Sequence, residues 1–259
     1  MIVALTTDLQ PAMLQYVLQL ADTNLVLAQR LCEWCGHGPV LEQDIALSNI
    51  GLDLLGQTRS LYQYAAELQG QGKTEDDLAF LRNDRQYSNL LLAELPNGDF
   101  GVTVMRQFFY EAYHYYLLQQ LQHSKDTQLA AIAEKSLKEV TYHLKWTAEW
   151  VIRLGDGTEE SKRRMQQAVT ELWMFTGEMF RPSPAEQQLA EAGIIPDLAG
   201  LKAPWLAKVT EIFAEATLDM PDPNVWMQEG GKKGVHTEHL GYILAEMQSM
   251  QRQYPGMQW

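Results

Sequence analysis

The sequence predicts an all-α protein: a long four-helix bundle with additional shorter helices. Three observations predict it. Apolar residues recur at a 3.6-residue period along most of the 259 residues, strand-like alternation is hard to find anywhere, and ten prolines with most of the glycines cut the pattern into segments. Four of those segments are long and joined by short connections, the signature of a bundle.

The first long helix is expected over 11–35, opening at Pro11 and stopping at Gly36. The second runs over 39–69, from Pro39 to Gly70, and a shorter one follows over 75–94. The third and fourth long helices cover 100–123 and 127–154, the latter ending at Gly155. Shorter helices are expected over 159–180, 185–192, 204–218 (from Pro204) and 236–253, where Gly241 is a weak point. Residues 182–204 and 221–234 read as irregular connectors. No fixed-period repeat or low-complexity tract divides the chain, and 1–259 is expected to form a single domain.

The composition is that of an ordinary soluble protein, 46% hydrophobic and 20% charged. A net charge of -13 argues against nucleic acid, which demands a concentrated basic patch. The start, MIVALTTDLQP, lacks the basic and apolar regions of a secretion signal, and no apolar run approaches the roughly 18 residues of a membrane span. A cytoplasmic protein is expected. Cys32 and Cys35 form a C-x-x-C without a neighbouring βαβ pattern, a following histidine or further zinc ligands, so both are expected to pack at a helix end.

Each long helix carries one polar residue on its apolar stripe: Asp22 beside Leu18 and Leu25, Asp53 at the edge of the stripe from Leu47 to Leu68, Glu111 between Phe108 and Tyr115, and His143 between Val140 and Thr147. Burying an unpaired carboxylate costs several kcal/mol, so such residues need partners: metal ions, Arg or Lys side chains, or one another. The pattern resembles ferritin-like di-iron proteins, which use one Glu from each of two helices and Glu-x-x-His from the other two. Here the second helix offers Asp53-x-x-Gly56, without the histidine, and the fourth Val140-x-x-His143, without the acid. The four positions read as a vestigial site. Two motifs point the other way: Glu111-Ala-Tyr-His114 is a true Glu-x-x-His, and Glu139 lies four before His143. The simpler expectation is that His114 and Glu139 lie off the stripe.

Long blocks carry a more specific signal. LAQRLCEWCGHGPVLEQDIALSNIGLDLLGQ, DDLAFLRNDRQYSNLLLAELPNGDF, LKEVTYHLKW, GDGTEESKRRMQQAVTELWMFTGEMF and GGKKGVHTEHLGYILAEMQSMQRQYPGMQW resemble the phenylacetic acid catabolic family, in its structural-subunit branch, from about residue 17 to the end. The resemblance implies a ferritin-like subunit with no catalytic residues, metal or cofactor of its own. It would pair as a heterodimer, within a higher assembly, with a homologous catalytic subunit that carries the di-iron centre. The complex would epoxidise the ring of phenylacetyl-CoA in aerobic phenylacetate degradation, using electrons that a reductase relays from NADPH through flavin and iron–sulfur groups. The resemblance also makes Gln86, Tyr87, Ser88 and Asn89 candidates for contacts to the CoA ester. Gly230-Gly-Lys-Lys-Gly234, ahead of a helix, makes Lys232 and Lys233 phosphate candidates, although the Walker pattern is missing. The competing expectation is a ferritin-like metal-dependent oxidase with its own mono- or dinuclear site at Asp22, Asp53, Glu111 and His143.

Overall fold

The computed structural model describes residues 8–257, which are helix, turn and loop with no strand among them. The Met1–Thr7 stretch lies outside the described residues. The chain forms two compact units, whose described parts are 97–229 and 8–96 together with 230–257.

The second of these units is built on α1 (Gln10–Cys32) and α2 (Leu41–Gln69), which pack along their length. Pro11 sits in the first turn of α1, where its missing N–H costs nothing. Gly70 ends α2 in the left-handed region, φ +66°, and its N–H closes on the Ala66 carbonyl. Met13, Val17, Leu27 and Leu31 of α1, with Leu47, Ile50 and Leu54 of α2, are fully buried. Each contributes about 1.5–3 kcal/mol of burial.

The helix expected over 75–94 is instead broken into α3 (Glu75–Phe80), a 3₁₀ turn (Asp84–Gln86) and α4 (Leu91–Glu94). The cause lies in α1. The Ser88 N–H donates to Asp22 Oδ2 at 2.8 Å and the Leu90 N–H to Thr23 Oγ1 at 3.1 Å, so neither is available to a carbonyl four residues back. Two buried side chains of α1 hold 87–90 extended.

The other unit comprises α5 (Phe100–Leu121), α6 (Thr127–Gly155), α7 (Glu159–Leu172), α8 (Pro184–Glu191) and α9 (Lys202–Glu215). Side chains cap the first four: Asp99, Asp126, Thr158 and Ser183 each accept a first-turn N–H, worth about 1 kcal/mol apiece. The expected helix over 159–180 ends early, its last turns tightening to 3₁₀ after Leu172. Phe109, Trp173, Trp205 and Phe213 pack ring to ring, and Trp205 donates its Nε1 proton to the Phe109 carbonyl at 3.0 Å. Gly155 is required where α6 meets the end of α9, because a Cβ there would lie 2.4 Å from the Ala216 carbonyl oxygen.

The chain returns to the unit of α1 and α2 with α10 (Glu238–Met247) and α11 (Ser249–Gln253). Gly241 does not interrupt α10; the break falls at Gln248, whose buried amide donates to the Ala79 and Arg82 carbonyls, both at 3.1 Å. Cys32 is half-buried as expected, but Cys35 is exposed in the turn after α1 rather than packed.

Candidate functional site: three buried polar networks

Asp22, at the centre of α1, is completely buried and accepts five hydrogen bonds. Arg82 grips both carboxylate oxygens, the Tyr62 hydroxyl donates at 2.6 Å, and Ser88 donates through its N–H and its hydroxyl. The guanidinium has further acceptors in the Leu78 carbonyl (2.6 Å), the Gln86 carbonyl (2.9 Å) and the Tyr62 oxygen (2.9 Å). It also stacks 4.3 Å from the centre of the Tyr87 ring. Burial works against the Arg82 charge, and Asp22 more than offsets it, so the guanidinium is held protonated. Burial and the Asp22 charge push the Tyr62 hydroxyl far up. The carboxylate is neutralised by a side chain of its own chain. Sequence reasoning missed Arg82; the legible signal is an acid in an apolar stripe, which demands a cation without saying from where.

The second network joins the two stretches singled out for ligand contact. Glu94 of α4 is fully buried, with Asn89 Nδ2 at 2.8 Å, His236 Nδ1 at 2.9 Å and the Thr237 N–H at 2.7 Å. His236 Nε2 lies 3.0 Å from the Tyr87 carbonyl. Both ring nitrogens thus face acceptors, which requires the doubly protonated imidazolium. Burial lowers the His236 pKa and the Glu94 bond raises it, with a net upward shift. Thr237 is the N-cap of α10, so the anion at that helix N-terminus is Glu94 itself.

The glycine-rich stretch has a packing cause. A Cβ on Gly231 would lie 2.1 Å from the Asn89 carbonyl oxygen, and one on Gly234 would lie 2.6 Å from that of Arg85. Of the candidates here, Tyr87 is buried and donates to the Ala79 carbonyl, Asn89 is buried on Glu94, and Ser88 is half-buried on Asp22. Lys232 is buried in a 3₁₀ turn (Gly231–Lys233), whereas Gln86 and Lys233 are exposed. Glu94 was missed, although a glutamate inside Leu90–Leu95 is visible as a polar break in an apolar run.

The third network lies in the 97–229 unit. Glu111 of α5 and His143 of α6 are both completely buried, with His143 Nδ1 3.2 Å from Glu111 Oε1. Gln107 Nε2 donates to the same oxygen at 2.6 Å, and His114 Nδ1 stands 3.7 Å from Oε2. Burial pushes the Glu111 carboxyl up, but the His143 charge and the imidazole contacts overcome it and hold the group at about 2. His114 is buried, contrary to the expectation that it lies off the stripe; Glu139 is half-buried.

The residues of this chain do not fit a dinuclear iron centre. Glu111 Oε1 is engaged by an amide and an imidazole, Asp22 by Arg82 and Tyr62, and Val140 is a buried apolar residue one turn before His143. Among the described residues no three His, Cys, Asp or Glu side chains are arranged to hold a metal ion. Asp53 is half-buried. The interior register of α2 runs through Leu54 and Gln57, and Gln57 accepts from Asn24 at 3.2 Å. Gly56 is exposed and a Cβ there would touch nothing, so it does not mark a lost interior histidine. Its spacing from Asp53 puts it one position out of the interior register.

The described residues are helix, turn and loop, the buried acids of their three networks are met by the Arg82, His236 and His143 side chains of the same chain, and residues 4–259 match the profile of the phenylacetic acid catabolic protein family. The chain belongs to that family. It is 54% identical over 244 residues to a subunit of the 1,2-phenylacetyl-CoA epoxidase of Escherichia coli (strain K12), covering 94% of this chain and 98% of that protein. No described helix is long and apolar enough to cross a membrane.

Proposed function

We propose that this protein is the non-catalytic structural subunit of a multicomponent oxygenase that epoxidises the aromatic ring of phenylacetyl-CoA. In this reading 1–259 is one ferritin-like domain that pairs with a homologous di-iron subunit. That subunit supplies the oxygen-activating iron, and a reductase component delivers the electrons from NADPH. The observation that supports the reading is the ion pair of Asp22 with Arg82 and the buried contact of Glu111 with His143. In this reading the chain contributes helical packing surface to the complex. Within the candidate set, contact with the CoA ester falls to Gln86 and Lys233, its exposed members. Co-expression with the catalytic subunit tests the proposal. A stable complex is expected, with epoxidation of phenylacetyl-CoA only when both chains are present; turnover by this chain alone would overturn it.

A further inference from the structure

Cys32 ends α1 and Cys35 follows one turn later, and both are free thiols. The Cys35 N–H donates to the Cys32 carbonyl at 3.0 Å, a bond of the kind that holds the two Cα atoms of a turn within about 7 Å. A disulfide spans about 4.4–6.8 Å between Cα atoms, so each cysteine lies within reach of the other. The turn is also pinned to α2. Asp44 Oδ2 accepts from the Gly36 N–H at 2.7 Å and from the Gly38 N–H at 3.1 Å. A Cβ on Gly38 would lie 2.7 Å from Asp44 Cβ, so this close approach requires the glycine.

The two thiols differ in their surroundings. Cys35 is exposed, whereas Cys32 is half-buried on the wall of a cavity of about 200 Å³ that Ile243 and Met247 of α10 also line. Burial, then Cys35, then Glu33 push the Cys32 thiol up, which keeps it protonated at neutral pH. Gly51 of α2 faces the Cys32 sulfur, and a Cβ there would lie 3.2 Å from it, so no side chain of that residue clamps the sulfur. Reversible thiol oxidation needs one accessible thiol and a second beside it to resolve the product, not a βαβ fold. We propose that Cys32 and Cys35 are a peroxide-reactive dithiol that closes to a disulfide at the end of α1. The Cys35 thiolate attacks one oxygen of hydrogen peroxide. The S–O bond of a sulfenic acid forms, the O–O bond breaks, and the departing hydroxide takes up a proton as water. The Cys32 sulfur then attacks the Cys35 sulfur: the S–S bond forms, the S–O bond breaks, and the hydroxyl leaves with the Cys32 proton as a second water. The thiol pair gives up two electrons and one peroxide accepts them. A thiol reductant reverses the closure by exchange. The inference is independent of the proposed role in epoxidation.

Thiol counting and intact mass on the full chain test it, since these are its only two cysteines. On treatment with hydrogen peroxide both thiols are expected to vanish together, with the loss of two hydrogens from the mass. The product is expected to migrate as a single chain on a non-reducing gel and to recover both thiols in dithiothreitol. In Cys32→Ser, with the fold checked by circular dichroism, oxidation is expected to stop at the Cys35 sulfenic acid, which dimedone captures. In Cys35→Ser the remaining thiol is expected to react about tenfold more slowly, because it is half-buried and protonated. A wild-type chain that keeps both thiols in excess peroxide would overturn the proposal. So would a disulfide that links two chains, or a sulfinic acid on Cys35 beside an unreacted Cys32. Equal rates in the two variants would overturn Cys35 as the point of attack.

Discussion

Removing the Asp22 carboxylate is expected to destabilise the 8–96 and 230–257 unit severely. In Asp22→Ala the Arg82 guanidinium stays buried, 9% exposed at its side chain, without its counter-charge. Breaking a buried pair from one side costs about 3–5 kcal/mol. The Ser88 N–H and the Tyr62 hydroxyl lose an acceptor as well, each worth about 1 kcal/mol or more. A loss of about 5 kcal/mol follows, which lowers Tm by roughly 15–30 °C for a unit of this size. Arg82→Met alone is expected to cost about 3–5 kcal/mol for the converse reason. The combination Asp22→Ala with Arg82→Met removes both charges, and its cost is expected to fall short of the sum of the single replacements by about 2–3 kcal/mol. Urea unfolding followed by far-UV circular dichroism supplies the midpoints. Additive losses, or an Asp22→Ala protein within about 1 kcal/mol of wild type, would refute the assignment of Arg82 as the counter-ion.

Further outcomes follow from the other networks. His236 has a raised pKa, so its tie to Glu94 is fully formed below the ordinary histidine value near about 6.5 and is lost as pH rises through the raised one. Limited proteolysis of 230–237 is therefore expected to accelerate as pH rises above about 6.5, and His236→Asn to abolish that dependence. Glu111 has a depressed pKa, so its contribution is complete above about 4.3 and disappears as pH falls toward about 2. Glu111→Gln is expected to cost about 1–3 kcal/mol at neutral pH and to flatten acid unfolding in that window. Gly56→Ala is expected to raise the stability of the monomer by about 1 kcal/mol, because α2 gains helix propensity and the methyl group meets nothing. A destabilised variant would show that Gly56 has an internal role.

The long helices were legible because their signals are local. Pro11, Gly70 and Gly155 mark ends that the structure keeps within a few residues, and the stripe through Val140, His143, Thr147 and Val151 is the buried face of α6. The broken segment after Phe80 was not legible, since helix spacing in 75–94 looks adequate until Asp22 and Thr23 of α1 claim its amides. The counter-ions were illegible for the same reason. Asp22 and Arg82 are 60 residues apart, and Glu94 and His236 are 142 apart, so no window holds both partners. Gly56 shows a different failure: its spacing from Asp53 fits a ligand motif, but one residue of register on a helix turns a position by about 100°, from core to surface.

Because the buried acids of this chain are held by its own side chains, the proposed function assigns the iron to another subunit. The decisive measurement is metal counting on each chain, separated after co-expression with the catalytic subunit and iron loading. Stoichiometric iron is expected on the catalytic subunit and none on this chain; a pair of irons on this chain would contradict that assignment.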